Sequence, residues 1–391
     1  MKICVSGAGS ASAVSLLSLF KFPFLYNKFE INCIYDPNIP TLEVGESTSR
    51  HVLKLLAFVI GFNENNFNDI DCTFKRFTRY NWTKANGKDF DVSSTPGLHI
   101  NSKKFSFFVL NKLKNKFKNF KVINDNIQSL SSNNSKVTVQ CNCGNYDYDF
   151  VIDCRNIVDE FDENYCVPVF ESVNSVILYT DYKNYNEDFT SAYVHENGWM
   201  FGIPLQNRKT FGYLYNNKIT SDSDAINHFS ELKDVDASNI RKLSWKQLYR
   251  KKIIQDRVMC IGGNLFFFDP HHSLPLHYYV GVLLNHIPTI VNDLNNIPYD
   301  NINSLHYQHM QEIQDLIALN YVGKNNMKSD FWNYAMIGSY NRLSSSKYFT
   351  DWAKKSIASN KIGEFSFHDE SLMTSYINGY NIDYKKFTPI V

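Results

Sequence analysis

The chain opens on Lys2-Ile3-Cys4-Val5-Ser6, then Gly7-Ala8-Gly9-Ser10-Ala11-Ser12, then Ala13-Val14-Ser15-Leu16-Leu17-Ser18-Leu19-Phe20. A short apolar run, a glycine turn and an apolar helical run read, in that order, as the start of a βαβ unit. Ile31 to Tyr35 supplies the second strand, and Asp36 ends it. Glycine at 7 and 9 lets the backbone approach a pyrophosphate, and the next helix points its positive N-terminus at the phosphates. Ser12 stands where a third glycine is usual, so helix–strand packing there takes a small side chain. Asp36 lies 27 positions past Gly9, against a usual spacing of about 20, and is expected to accept from ribose hydroxyls. Gly7, Gly9, Ser10, Ala11, Ser12 and Asp36 are therefore the predicted dinucleotide cradle. The alternative is a tight structural turn.

A second glycine pair lies far along the chain. Gly262-Gly263-Asn264 follows the apolar strand Val258–Ile261. FAD proteins often return a glycine–polar pair to the ribityl chain here, so Gly263 and Asn264 favour FAD over NAD. Asn264 replaces the more common Asp.

Between these anchors the pattern alternates. Residues 51–60 and 99–117 read as helices. Residues 122–128 and 137–143 read as strands, with the Ser/Asn run 129–135 as a loop. The stretch 71–95 is polar and aromatic. Residues 148–153 and 165–215 are strand-rich, and from His277 the chain reads as helical, with amphipathic spacing over 305–322. The last fifty residues offer no interpretable motif. The reading is an α/β fold: a Rossmann-like FAD-binding core of the glutathione-reductase type over 1–165 and 250–290. A substrate-side β-sheet is inserted at 166–249, and a helical C-terminal region spans 291–391.

Composition limits the partners. With 391 residues the chain can bury a large core and hold a large cofactor. A net charge of +1 gives nucleic acid no electrostatic handle. No apolar run is long enough to span a membrane, and no signal peptide is visible, so a cytoplasmic protein is expected. The eight cysteines are scattered without a CxxC pair, which fits reduced thiols and no metal site. Frequent Asn and Lys are those of an AT-rich genome, such as a phage carries. A homo-oligomer is compatible with the sequence.

Five further stretches resemble one family. Val44-Gly45-Glu46-Ser47-Thr48 resembles the flavin-contacting turn of flavin-dependent halogenases, the group that includes the tryptophan halogenases. Cys72-Thr73-Phe74-Lys75, with Asn81-Trp82 after it, is similar to the segment carrying their catalytic lysine. Gly198-Trp199-Met200-Phe201-Gly202-Ile203-Pro204 resembles the WxWxIP signature, with Phe201 in the second Trp place. Phe267-Phe268-Asp269-Pro270-His271-His272-Ser273-Leu274-Pro275-Leu276-His277 resembles the FxxPxxSxG loop beside the flavin. Residues 312–321, with Phe331-Trp332 after them, are similar to a C-terminal family segment. The resemblances run in family order from residue 3 to about 335.

The resemblance implies FAD, supplied reduced, and a halide ion as co-substrate. Oxygen chemistry at the flavin yields hypohalous acid, which passes through a tunnel to Lys75 beside an aromatic small-molecule substrate. Gly45, Glu46, Ser47 and Leu276 join the flavin contacts. Trp199, Phe201, Ile203 and Pro204 line the passage. A separate NAD(P)H-dependent flavin reductase is implied, because no second nucleotide loop is visible. Aromatic neighbours should lower the Lys75 pKa, and a haloamine or a hydrogen bond to hypohalous acid both stay open. His272 takes the place of a family Glu and is the candidate base, with a pH limb expected at about 6–7. The family's halide donors fall at Leu274 and Pro275, and Pro275 has no N–H, so either the halide shifts toward Ser273 and Leu274 or halide binding is lost. Iodide or bromide is therefore expected over chloride. The alternatives are an aromatic monooxygenase without halide use and a non-catalytic FAD-binding relative.

Overall fold

The computed structural model describes residues 1–40, 45–82, 89–93, 96–133, 135–156, 162–323 and 327–387. Val44 of the quoted turn, residues 83–88 and 94–95 of the polar stretch, and Asn134 lie outside the described residues.

The opening behaves as its residues dictate. The strand Lys2–Ser6 is buried from Ile3 onward, and the helix Ser10–Phe20 buries all but one of its residues. The strand sits near the middle of a six-stranded sheet. Phe150–Asp153 pairs with it in parallel on one side, and Glu30–Tyr35 on the other. Phe120–Asn124 and Val258–Cys260 extend the parallel sheet outward. Successive strands leave the first one in opposite directions, so a crevice opens at their carboxyl ends, where doubly wound sheets hold ligands. Gly7, Gly9 and Gly262 lie at that edge. The expected α/β class is observed.

The sheet expected at 166–249 has seven strands and reaches beyond those bounds. Ser175–Asp181, Lys209–Tyr215, Gly198–Pro204 and Phe189–His195 form its antiparallel centre. Phe77–Asn81 joins in parallel to Phe189–His195, and Phe90–Val92 adds beyond it. A three-stranded sheet of Gly45–Ser47, Gly97–Asn101 and Thr73–Lys75 lies between the large sheets. The predicted helix at 99–117 therefore starts late. His99 to Asn101 are buried strand residues, and the helix Ser102–Lys116 begins where the Asn101 side chain accepts from the Lys104 N–H.

The meander differs as well. Residues 122–128 divide into Phe120–Asn124 and Ile127–Ser132, and the predicted loop 129–135 is mostly strand. Asp125 makes the break, since its carboxylate accepts from the Asn126 and Cys143 N–H groups. Solvent-facing Ser side chains on an edge strand give a loop-like composition to residues whose backbone pairs with Val137–Cys141. The helical region begins at Leu274. Helices Leu274–Asn292, Tyr299–Val322, Asp330–Ser345, Lys347–Ala358 and Glu370–Gly379 follow in turn. Among the described residues no helix is long and apolar enough to cross a membrane.

Candidate active site

The predicted cofactor residues converge on the carboxyl edge of the six-stranded sheet. Gly7 adopts φ +91°, and a Cβ there would lie 3.1 Å from the Cys154 carbonyl oxygen. Glycine is thus required by the turn itself. Gly9 differs. Its φ of −84° suits any residue, and a Cβ there meets no protein atom within 4 Å. The space beside Gly9 is open, and the helix after it has no side-chain cap. Its first N–H groups, including those of Ala11 and Ser12, lack intrahelical partners. Around the same edge, Ser47 Oγ and Asn264 Oδ1 are buried without hydrogen-bond partners. Orphaned buried polar atoms beside open space fit a polar ligand, since each otherwise costs about 1–3 kcal/mol. The residues present fit FAD.

Asn264 is anchored from behind. Its Nδ2 donates to Asp153 (2.9 Å), which also accepts from Ser6 and from Arg155. Arg155 and the Ser6 hydroxyl hold Asp153 below the ordinary carboxylate range, although burial opposes them. Sequence reasoning missed this buried pair; an Asp-Cys-Arg run ending a strand was its only signal. Asp36 follows the second strand and accepts from the Asn38 N–H (2.8 Å) with one oxygen. Glu46 faces this edge half-buried. Burial raises its carboxyl to about 7, and the Ser10 hydroxyl opposes that rise. Gly45 has another duty, because a Cβ there would lie 2.8 Å from the Ile203 side chain. Ile203 is buried against that glycine, so the pair locks the turn onto the large sheet.

Lys75 ends the strand Thr73–Lys75 and is only 7% exposed. The strand is held in place by Thr73. Its hydroxyl donates to the Pro204 carbonyl (2.9 Å) and contacts His99 Nδ1 (3.1 Å). Among the described residues no carboxylate pairs with Lys75. Burial alone lowers it to about 8. The Lys75 charge also helps to hold His99 and His272 well below their ordinary values, after burial as the main cause. Lys75 and His272, from strand and loop nearly two hundred residues apart, thus share one region of space. Buried Lys209, paired with Glu187 at 2.5 Å, also bears on His99 and was not foreseen.

Aromatic rings crowd the space beyond. The His271 ring lies 4.4 Å from Trp199 and 4.8 Å from Trp82, and stacks 5.7 Å from Tyr80. Its Nε2 is 3.0 Å from the Tyr380 hydroxyl. Phe201 lies across Gly212, where a Cβ would strike its ring. Asp269 accepts from Ser172 (2.7 Å), Tyr321 (2.5 Å) and the His271 N–H (3.1 Å). Burial still raises it to about 6. The buried Trp199 indole N–H closes no hydrogen bond of normal geometry, yet it lies close enough to Asp269 to favour the carboxylate.

His272 departs from the expectation of a limb at 6–7. Burial first, then His271 and Lys75, hold it well below its ordinary value, so it is neutral throughout the physiological range. Its Nε2 faces the Asn320 amide (2.9 Å) and its Nδ1 faces His368 (3.3 Å). His368, Tyr376 and Tyr380 belong to the last fifty residues, which the sequence left unread. His277 points elsewhere, 5.0 Å from His51. Among the described residues no metal-binding cluster exists.

Ser273 takes the left-handed conformation (φ +52°) and leads directly into the helix Leu274–Asn292. Pro275 stands in the first turn. There its N–H would have no intrahelical partner, so the helix loses nothing by the proline. Only an acceptor outside the helix would feel the loss. Leu274 and Leu276 are both buried beside it.

The chain resembles the tryptophan halogenase RebH of Lentzea aerocolonigenes, 21% identical over 166 residues, which are 41% of this chain and 31% of that protein. The match thus spans about a third of its curated relative. Over the whole fold, the tryptophan halogenase of Shewanella frigidimarina superposes with a TM-score of 0.81 at 17% identity, covering 100% of this chain and 90% of the other. A flavin-dependent halogenase from Xanthomonas campestris gives 0.78 at 14%, covering 97% and 89%. The tryptophan halogenase family model matches residues 2–142 and 92–378, and on that breadth this chain belongs to the tryptophan halogenase family.

Proposed function

We propose that the protein is a flavin-dependent halogenase that uses reduced FAD, oxygen and a halide to halogenate a small aromatic molecule. The observation that carries this reading is Lys75: a buried lysine with no counter-ion among the described residues, close enough to His99 and His272 for its charge to bear on both. A structural lysine would have a carboxylate or an exposed head. FAD, when bound, would supply the oxidation of halide to hypohalous acid. Gly7, Gly9, Ser10, Ala11, Ser12 and Asp36 hold its phosphates and ribose, while Glu46, Ser47, Gly263, Asn264 and Leu276 meet the rest. Trp199, Phe201, Ile203 and Pro204 keep the aromatic molecule away from the flavin edge. Lys75 orients the oxidant, and neutral His272 receives the proton that leaves the ring. A separate flavin reductase supplies the reduced cofactor. With bromide and no aromatic substrate, the loaded enzyme should release hypobromous acid that a thioether traps. Flavin oxidation without trapped oxidant, and oxygenated product on adding phenol, would favour a halide-free monooxygenase, the reading that Pro275 supports.

The protonation of Lys75 sets a pH dependence. At pH 7 a lysine of pKa about 8 is mostly ammonium, and an ammonium can hydrogen-bond the oxygen of hypohalous acid. Ring halogenation should therefore fall as pH rises through about 8 while flavin oxidation stays level. A rise through the same range would assign the work to a neutral amine and a haloamine. No limb near 6–7 is expected from His272.

Halide choice follows from Pro275. Chloride is the most strongly hydrated of the usable halides and needs aimed donors most. Bromide and iodide lose less on dehydration and are oxidised more easily. In competition at equal concentrations, iodide or bromide should outcompete chloride, and Pro275→Gly should raise chloride use. Equal chlorination and iodination by the native enzyme would remove the proline from the account.

A further inference from the structure

The C-terminal segment brings a second imidazole to His272. The Asn320 side-chain nitrogen contacts His272 Nε2 (2.9 Å) and the carbonyl oxygens of Leu316 (3.3 Å) and Ile317 (3.2 Å). An amide oxygen in that place would face two carbonyl oxygens, so the nitrogen end is fixed there. Asn320 therefore donates and His272 Nε2 accepts. A neutral imidazole then carries its proton on Nδ1. That proton faces His368 Nε2 at 3.3 Å, which must accept. His368 in turn carries its proton on Nδ1, a buried atom without a hydrogen-bond partner. Tyr376 holds both rings, edge-on to His272 at 4.6 Å and stacked on His368 at 5.3 Å.

The charges around the two rings differ. Burial first, then His271 and Lys75, oppose an imidazolium at His272, while the Leu316 carbonyl favours one. His368 faces His272 and His277, but also Asp369 and the Phe367 carbonyl, which favour its charged form. Asp369 is exposed and caps the helix Glu370–Gly379 by accepting from the Leu372 N–H (2.9 Å). His368 is buried as well, but unlike His272 it stands next to an exposed carboxylate, Asp369.

We propose that His368 is the second member of a proton relay that carries the aromatic proton from His272 toward solvent past Asp369; this rests on the reading that His272 receives that proton. At the halogenated ring carbon the C–H electron pair returns to the ring and restores aromaticity. The proton goes to His272 Nε2, which gives up its bond from Asn320 and finds an acceptor for its new N–H in the Leu316 carbonyl. His272 Nδ1–H passes to His368 Nε2, and His368 releases its Nδ1 proton toward Asp369 and water. His368 touches no reacting atom and acts through His272.

Two variants separate relay from positioning. His368→Gln offers an acceptor oxygen to His272 Nδ1–H but cannot pass a proton; His368→Leu offers neither. With reduced FAD, bromide and indole as probe, both should slow bromination by roughly 10- to 100-fold and make it slower still on ring-deuterated indole. Trapped hypobromous acid is measured alongside. Recovery of the native rate in His368→Gln would make His368 only a positioning residue and overturn the relay. So would a matching fall in trapped oxidant. Nitrogen-15 spectra of the FAD-loaded protein need no substrate. The proposal expects both His272 and His368 as Nδ1–H tautomers, and an Nε2–H His272 overturns it. His272→Ala distinguishes the two levels: if it costs no rate, the reading beneath the relay fails; if it alone costs rate, only the relay fails.

Discussion

Replacing Lys75 by methionine should abolish ring halogenation, leave hypohalous acid production running, and make the protein more stable. The three outcomes share one cause. Lys75 is buried with no counter-ion among the described residues, and burial lowers its pKa from 10.5 to about 8. That shift corresponds to about 3 kcal/mol of unfavourable charge burial whenever the lysine is protonated in both folded and unfolded chains. The cost is fully present below pH 8. It fades as pH rises toward the unfolded value, where the lysine is neutral in both states. Methionine keeps the length and removes the charge. Urea unfolding at pH 7 should therefore show the variant more stable by roughly 1–3 kcal/mol, with the gap closing near pH 10. A purely structural lysine would do the opposite and lose stability on replacement. In the assay, oxidant that is no longer held near the aromatic carbon should appear as trapped thioether product. Normal yield of halogenated ring product would remove Lys75 from the mechanism.

The second large effect concerns the cradle. Gly9→Leu should leave the fold intact and eliminate FAD binding. The backbone at Gly9 suits a leucine, and no protein atom lies within 4 Å of its Cβ position. The new side chain would occupy the space through which the pyrophosphate reaches the helix N-terminus. Gly7→Ala is the contrasting variant. It forces a left-handed backbone and a 3.1 Å approach to the Cys154 carbonyl, so it should lower stability as well as FAD binding. A flavin fluorescence titration of Gly9→Leu that matched the native protein would refute the cradle.

The sequence made the opening strand, turn and helix legible because their signal is local. A strand, two glycines and a helix lie within twenty residues, and each obeys short-range rules. The C-terminal wall was illegible for the opposite reason. His368, Tyr376 and Tyr380 sit in a segment whose burial is decided by contacts to Tyr80, His271 and His272, about a hundred to three hundred positions away. Nothing in their own spacing marks them as interior. His272 shows a subtler limit. Its residue type suggested titration near neutrality, but His271, Lys75 and the surrounding apolar packing remove that behaviour, and only tertiary structure assembles them. His99 was read as the start of a helix for a similar reason. Its partners Thr73 and Thr190 lie on other strands, and they decide that it is a strand residue.

The central claim is that a buried lysine directs flavin-derived hypohalous acid onto an aromatic ring. Its most direct test is mass spectrometry of a panel of phenols, indoles and pyrroles incubated with the native enzyme, reduced FAD, oxygen and each halide in turn. The account predicts at least one product whose mass increases by a halogen in place of hydrogen, with iodide or bromide giving more than chloride, and its absence in Lys75→Met. Products that carry added oxygen and no halogen, under every halide, would contradict it.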